Sequence, residues 1–90
     1  MRLIIWTAEA VGNLRSIFGY VSAFNAPAAA RLARRLQTAA DSLADHPDRG
    51  REASGGLREL AVIHPDLIRY RVRDDAVIIL RIRHGARQNG

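Results

Sequence analysis

The chain has 90 residues, no cysteine and a formal net charge of +5, with an isoelectric point near 11.2. A chain of this length is expected to form one small domain, residues 1–90, that buries a modest share of its surface, so a partner covering more of it is expected. The lack of cysteine excludes a disulfide scaffold, a thiolate metal site and a cysteine nucleophile. All fourteen basic residues are arginine, and this positive excess favours an acidic partner, either nucleic acid or an acidic polypeptide. No run approaches the ~18 apolar residues of a membrane span, so we expect a cytoplasmic protein without a membrane partner.

The first half of the chain predicts one strand followed by two helices. Residues 2–6 are rich in β-forming side chains and predict a strand. Thr7 then offers a hydroxyl as helix cap, and apolar residues recur at helical spacing as far as Ala23. Asn25 is the cap candidate of a second helix, which ends before Pro47. The buried stripe predicted for this helix is Ala29, Leu32, Leu36, Ala39, Ala40 and Leu43.

The second half predicts a loop and three strands. Residues 46–56 contain turn formers without periodicity, which is typical of a long loop. The apolar period then changes to two, and it predicts strands over residues 57–63, 67–73 and 77–84. The predicted fold class is therefore α+β in the order β-α-α-β-β-β, with the helical hairpin packed on a mainly antiparallel sheet.

The register of the last hairpin decides which face of the sheet carries the arginines. If Asp74 and Asp75 alone form the turn, Arg71 lies opposite Ile78 and charge enters the apolar face. If Arg73 joins the loop, the apolar residues of both strands share one face. Burial favours this second register, with a three-residue loop. Its other face gathers four arginines: Arg69, Arg71, Arg81 and Arg83.

Short motifs follow one another in a characteristic order along nearly the whole chain. They are Trp6 before an alanine-rich capped helix, Asn25-Ala26-Pro27 with Ala29-Ala30, His46-Pro47 with Gly50-Arg51, Gly56-Leu57-Arg58-Glu59-Leu60, Ile68-Arg69-Tyr70-Arg71-Val72 and His84-Gly85-Ala86-Arg87. Together they resemble the ParE toxins of the RelE/ParE superfamily, whose fold has the same order of elements. The resemblance implies a type II toxin-antitoxin toxin that inhibits DNA gyrase and blocks replication, without catalytic residues, cofactor or metal of its own.

The resemblance also implies a partner, a ParD-like antitoxin. In such antitoxins a ribbon-helix-helix part binds DNA and a flexible, acidic segment wraps the toxin. The toxin would therefore reach DNA only through a hetero-oligomer with its antitoxin. The residues expected to bind the antitoxin are Leu14, Phe18, Tyr20, Phe24, Arg31 and Arg35. The residues expected to bind the gyrase target are Arg69, Arg71, Arg81, Arg83, His84 and Arg87.

An alternative function within the same superfamily is a ribosome-dependent mRNA endoribonuclease of RelE type. That chemistry needs a base for the ribose hydroxyl, an acid for the leaving oxygen and positive charge for the phosphate. Glu52 or Glu59 is the candidate base and His84 the candidate acid, with phosphate clamps at Arg71, Arg81 and Arg83. However, Leu67 stands where some nucleases of this kind carry an arginine, three positions before the tyrosine of the strand. Binding is therefore preferred to bond cleavage.

Two other classes of function have less support in the sequence. Direct DNA binding is suggested by the positive charge, but the chain lacks a helix-turn-helix signature and interleaved strand aromatics. The three histidines, His46, His64 and His84, are too scattered to predict a metal site.

Overall fold

The computed structural model describes residues 1–63 and 65–84. Its elements are β1 (Leu3–Trp6), α1 (Ala8–Ser22), α2 (Ala26–Ser42), β2 (Arg51–Glu52), β3 (Arg58–Ile63), β4 (Asp66–Val72) and β5 (Ala76–Arg83), with a single 3₁₀ turn at Ser54–Gly56 between β2 and β3. The predicted order of elements is confirmed. The predicted long loop differs in one respect, because it contains the two-residue strand β2, which pairs with the start of β3.

The five strands form one mixed sheet in the order β1-β5-β4-β3-β2. Strand β1 runs parallel to β5, and every other pairing is antiparallel, as the meander prediction required. Both helices pack on the same face of this sheet: the core combines Ile17 of α1 and Leu36 of α2 with side chains of β3, β4 and β5. The opposite face is left open, and the site described below lies there.

Both helices begin where the sequence predicts, at residues whose side chains satisfy a free backbone N–H. The Thr7 hydroxyl accepts a hydrogen bond from the Ala10 amide at 3.0 Å and donates one to the Leu80 carbonyl at 2.9 Å. The Asn25 side chain accepts one from the Ala28 amide at 3.0 Å. Thr7 therefore caps α1 and also ties the helix start to β5.

Tyr70 is the largest fully buried side chain and connects the sheet to the segment after α2. Its hydroxyl donates to the Pro47 carbonyl at 2.7 Å and accepts from the Gly50 amide at 2.8 Å. Burial raises the pKa of this phenol above its ordinary value. A Cβ at Gly50 would lie 2.6 Å from the Tyr70 oxygen, so only glycine fits at this close approach.

The predicted three-residue loop between the last two strands is wrong. Arg71 lies opposite Ile78, and the Arg73 amide donates to the Ala76 carbonyl at 2.7 Å, so Asp74 and Asp75 alone form the turn. Most apolar side chains of β5 are nevertheless buried, because the strand contains a β-bulge. The register shifts at a β-bulge near Leu80, and beyond it Ile68 lies opposite Ile82. The extra residue rotates the end of β5, so Val77, Ile79 and Ile82 all face the helices.

Candidate protein-binding site

The open face of the sheet carries a row of four charged residues on four adjacent strands. Arg51 lies opposite Glu59, Glu59 opposite Arg69, and Arg69 opposite Arg81. Their neighbours along each strand, such as Leu60 and Ile68, are buried under the helices. Since side chains alternate between the two faces of a strand, the charged row points away from the helices.

Glu59 is the centre of this row. The Nε and Nη2 atoms of Arg69 donate to its Oε2 at 3.0 and 2.6 Å, and Arg51 Nη2 lies 3.5 Å from its Oε1. The hydrogen bond from Arg69 lowers the pKa of Glu59 below its ordinary value, and the charges of Arg51 and Arg83 act in the same direction. The carboxylate side chain is only 11% exposed. Glu59 is therefore an ionised anchor that orders the arginines around it.

The structure brings the four predicted strand arginines to one face, although the register differs from the predicted one. Arg71 and Arg83 lie two residues along their strands from Arg69 and Arg81. Arg71 donates to the Gly55 carbonyl at 3.3 Å, and Arg81 Nε lies 3.4 Å from a carboxylate oxygen of Glu9 at the start of α1. We name this surface the arginine face. It consists of Arg51, Glu59, Arg69, Arg71, Arg81 and Arg83.

His84 follows β5 directly and is held by a residue that the sequence did not single out, Asp66. The two side chains approach within 2.5 Å, Nδ1 to Oδ1, and the Asp66 side chain is only 4% exposed. On its other side, the His84 ring makes an edge contact with Tyr20, at 6.1 Å between centroids. The strand order could have identified Asp66 in the sequence. In an antiparallel pair the first residue of one strand lies beside the end of the next strand, and His84 follows the end of β5. Arg87, the last predicted target residue, lies outside the described residues.

The residues predicted to bind an antitoxin fall on two surfaces. Phe18, Tyr20 and Phe24, at the end of α1 and just beyond it, are 43%, 41% and 79% exposed, and the rings of Tyr20 and Phe24 lie 5.6 Å apart. Leu14, one turn before Phe18, is half-buried against the core. The two predicted arginines of α2, Arg31 and Arg35, are exposed and line a separate groove between α2 and β3.

Both carboxylates nominated as a nuclease base are engaged in ion pairs. Glu52 lies 3.4 Å from Arg58 Nη2 and is largely exposed, whereas Glu59 is held by Arg69. Hydrogen bonding to a cation lowers the basicity of Glu59. Leu67 lies opposite Arg83 and adds no charge to the arginine face. Both nominated carboxylates are thus held by arginines in the described structure.

The described residues include no group of three or more potential metal ligands among their histidines and acidic side chains. One of the three histidines, His64, is outside the described part of the chain. Within the described ranges, no helix has the length and apolar character needed to cross a membrane.

The fold is that of a small α+β domain with two helices on one face of a five-stranded sheet and an arginine-rich open face on the other. Residues 4–89 match the family described as ParE toxin of type II toxin-antitoxin system, parDE, and the chain belongs to this family. It is thus a toxin of a type II toxin-antitoxin system of the ParE/RelE group.

Individual relatives agree with this assignment. The chain is 52% identical over 87 residues to Toxin RelE2 of Caulobacter vibrioides, covering 97% of this chain and 99% of that one. It is 34% identical over 90 residues to Toxin RelE1 of the same organism, covering 97% and 82% of the two chains. Among solved structures, a chain of the chromosomal ParDE TA system from P. aeruginosa has the same fold, with a TM-score of 0.80 and 24% identity over 91% of this chain and 94% of that chain.

Proposed function

We propose that this toxin inhibits DNA gyrase by binding it, and that a ParD-like antitoxin neutralises the toxin. The observation that carries the proposal is the state of the arginine face: its one central carboxylate, Glu59, is ion-paired and has a lowered pKa. A face built in this way offers fixed cationic donors and no competent base. Such a surface supports recognition of an acidic protein surface rather than cleavage of a bond.

The target-binding region proposed on this face is its β5 side. Arg81 and Arg83 project from the end of β5, and His84 follows them directly. Arg69 and Arg71 of β4 add positive charge beside them. Arg87, three residues after His84 in the sequence, is the last residue of the proposed region. Arginine suits this role because its planar group can form two parallel hydrogen bonds with one carboxylate.

The antitoxin would use the aromatic end of α1, which adjoins the target-binding region where Tyr20 contacts His84. Phe18, Tyr20 and Phe24 expose apolar rings there, and Leu14, one turn before Phe18, is half-buried against the core. Exposed aromatic residues are typical anchors for an amphipathic helix of a partner. Acidic residues of the same flexible antitoxin would meet the arginines of α2, including Arg31 and Arg35. The antitoxin's ribbon-helix-helix part would then hold the complex on DNA, so that this chain contacts DNA only indirectly.

A ribosome-dependent mRNA endoribonuclease is the second candidate, and one observation favours it. His84 is oriented by the buried carboxylate of Asp66 and lies beside Arg83, close to the arginine face. A histidine fixed by a carboxylate is a common arrangement for a general acid. In this reading Arg71, Arg81 and Arg83 would hold the phosphate, and Glu52 or Glu59 would have to act as base.

The two candidates are separated by assaying the same purified toxin on two substrates. The first assay measures ATP-dependent supercoiling of relaxed plasmid by gyrase; the second measures the integrity of messages during translation on ribosomes. The proposal expects lost supercoiling or trapped cleaved DNA, with intact messages. Cleaved messages with normal supercoiling would replace it with the nuclease. Adding a ParD-like antitoxin should restore supercoiling.

A further inference from the structure

A groove of about 560 Å³ runs between α2 and the outer edge of β3. Its floor includes the apolar side chains of Leu60 and Val62. No acidic side chain lines it within the described part of the chain. Four arginines line it: Arg31, Arg34, Arg35 and Arg49. We name this surface the edge groove. Four cations without a local counter-charge favour a ligand that carries several negative charges.

The edge groove also exposes part of a strand edge. In the described structure, β2 covers the outer side of β3 only at its start, where Arg51 and Glu52 pair with Glu59 and Arg58. The Ala53 amide donates to the Leu57 carbonyl at 2.8 Å, which shows that residue 57 directs its backbone groups to this side. Because backbone groups alternate along an antiparallel strand, Ala61 directs its N–H and C=O to the same side, beyond the end of β2.

The four arginines and the exposed strand edge at Ala61 together indicate which kind of ligand fits the edge groove. A nucleic-acid backbone would satisfy the arginines, but it has no repeating N–H and C=O groups that could pair with the backbone edge of β3. A second copy of the chain would offer a matching strand edge, but it would bring the arginines of two edge grooves together. An extended acidic polypeptide satisfies both features, because its backbone carries alternating donors and acceptors and its side chains carry the charge.

We propose that the edge groove binds an extended acidic segment of the antitoxin, which adds a strand to β3 beyond β2. Every second side chain of the added strand faces α2, so acidic residues two positions apart meet Arg31, Arg34 and Arg35. The proposal rests on the proposed antitoxin partnership, since it names the segment and its mode of binding. It is distinct from the helix docking on α1, because the groove contacts backbone as well as side chains.

The mode of binding is tested with the full-length toxin and a synthetic peptide of about eight alternating Glu and Val residues, the length of an ordinary strand. A control peptide has the same sequence with N-methyl groups on its central amides, which keeps the charge and removes backbone donors. We expect saturable binding of the first peptide, slowed hydrogen exchange at the Ala61 amide, and about tenfold weaker binding of the control. Equal affinity for the two peptides, or an Ala61 amide whose exchange is unchanged, would overturn strand addition.

The position of the site is tested with a matched pair of charge reversals on exposed helical arginines. Arg34→Glu lies in the edge groove, whereas Arg15→Glu makes the same change on α1. We expect about tenfold weaker peptide binding for the first and little change for the second. Equal losses would show attraction to net charge alone and would overturn the site.

A third experiment distinguishes a failure of strand addition from a failure of the proposed antitoxin partnership. Hydrogen exchange is repeated on the toxin bound to a ParD-like antitoxin. Protection at Ala61 supports the inference. Tight binding without protection at Ala61 overturns it and leaves the antitoxin partnership standing. If no ParD-like antitoxin binds while the acidic peptide does, the proposed partnership fails and the edge groove remains a site for acidic strands.

Discussion

Arg69 donates two hydrogen bonds to a single carboxylate oxygen of Glu59, the residue directly opposite it on the neighbouring strand. This contact divides the arginine face into two parts. Glu59 partly neutralises Arg51 and Arg69 at its centre, and Glu9 of α1 lies 3.4 Å from Arg81 at its β5 side. We expect an acidic partner to be drawn to the end of β5, where Arg83 lies two residues beyond Arg81.

Removing the charge of Glu59 should loosen the centre of the arginine face. We expect Glu59→Gln to lower the free energy of unfolding by about 1 kcal/mol, because Arg69 would lose a charge-assisted partner at a largely buried position. Urea denaturation of the variant and the wild type measures the difference. Glu52→Gln is the matched control: its carboxylate is largely exposed and should contribute only about 0–1 kcal/mol. A larger effect at Glu52 than at Glu59 would contradict the assignment of the anchor.

The same ion pair predicts how stability depends on pH. The pKa of Glu59 is lower in the folded chain than its ordinary value of 4.5. The unfolded chain therefore binds the proton first as pH falls, so the contribution of Glu59 is complete above the ordinary pKa and is lost as pH falls through the folded pKa. The difference in unfolding free energy between wild type and Glu59→Gln should be constant near neutral pH and should shrink in acid. If this difference in unfolding free energy grew on acidification, it would contradict a lowered pKa of Glu59 in the folded chain.

Gly50 should tolerate no side chain. A Cβ there would lie 2.6 Å from the Tyr70 hydroxyl oxygen and 2.8 Å from the Glu59 carbonyl oxygen, so Gly50→Ala should cost about 1–3 kcal/mol of stability through steric strain. Gly12→Ala is the control: a Cβ at Gly12 in α1 meets nothing within 4 Å, and alanine is the better helix former by about 1 kcal/mol. Thermal unfolding should thus shift in opposite directions for the two variants. Combining Gly50→Ala with Tyr70→Phe should not restore wild-type stability, because the clash with the Glu59 carbonyl remains.

Asp66 and His84 should be energetically coupled. We expect Asp66→Ala and His84→Ala each to destabilise the chain by about 1–3 kcal/mol, because each leaves the other polar group without its partner in a largely buried position. The double variant should cost less than the sum, with a coupling energy of about 0.5–3 kcal/mol in a double-mutant cycle. Simple additivity would show that the 2.5 Å contact contributes nothing to folding.

Toxicity should depend on the β5 side of the arginine face. We expect Arg81→Ala combined with Arg83→Ala to relieve growth arrest and to restore gyrase supercoiling, while leaving antitoxin binding within about twofold of wild type. Phe18→Ala combined with Phe24→Ala is the reciprocal variant. It should weaken antitoxin binding and keep gyrase inhibition. Retained toxicity of the arginine variant, at wild-type levels of folded protein, would remove Arg81 and Arg83 from the target site.

Local sequence patterns predicted much of the secondary structure correctly. Thr7 and Asn25 are caps in both the sequence and the structure, because a capping side chain bonds within its own first turn and needs no tertiary partner. The period-two pattern located β3, β4 and β5 to within a residue or two for a similar reason, since burial of one face is repeated along each strand. The family resemblance, which rested on short ordered motifs, was confirmed by the match over residues 4–89.

The sequence by itself thus determined the order of elements and the helix starts. It placed Arg69, Arg71, Arg81 and Arg83 on one face only through a register that proved wrong. Tertiary structure alone decided how that gathering is achieved and what restrains it. The bulge near Leu80 replaced the predicted longer loop, because core packing under the helices can be satisfied by an extra residue within the strand as well as by one in the turn. The contacts of Glu59 with Arg51 and of Asp66 with His84 likewise join residues distant in sequence. Such pairs depend on strand register, which a local pattern does not contain.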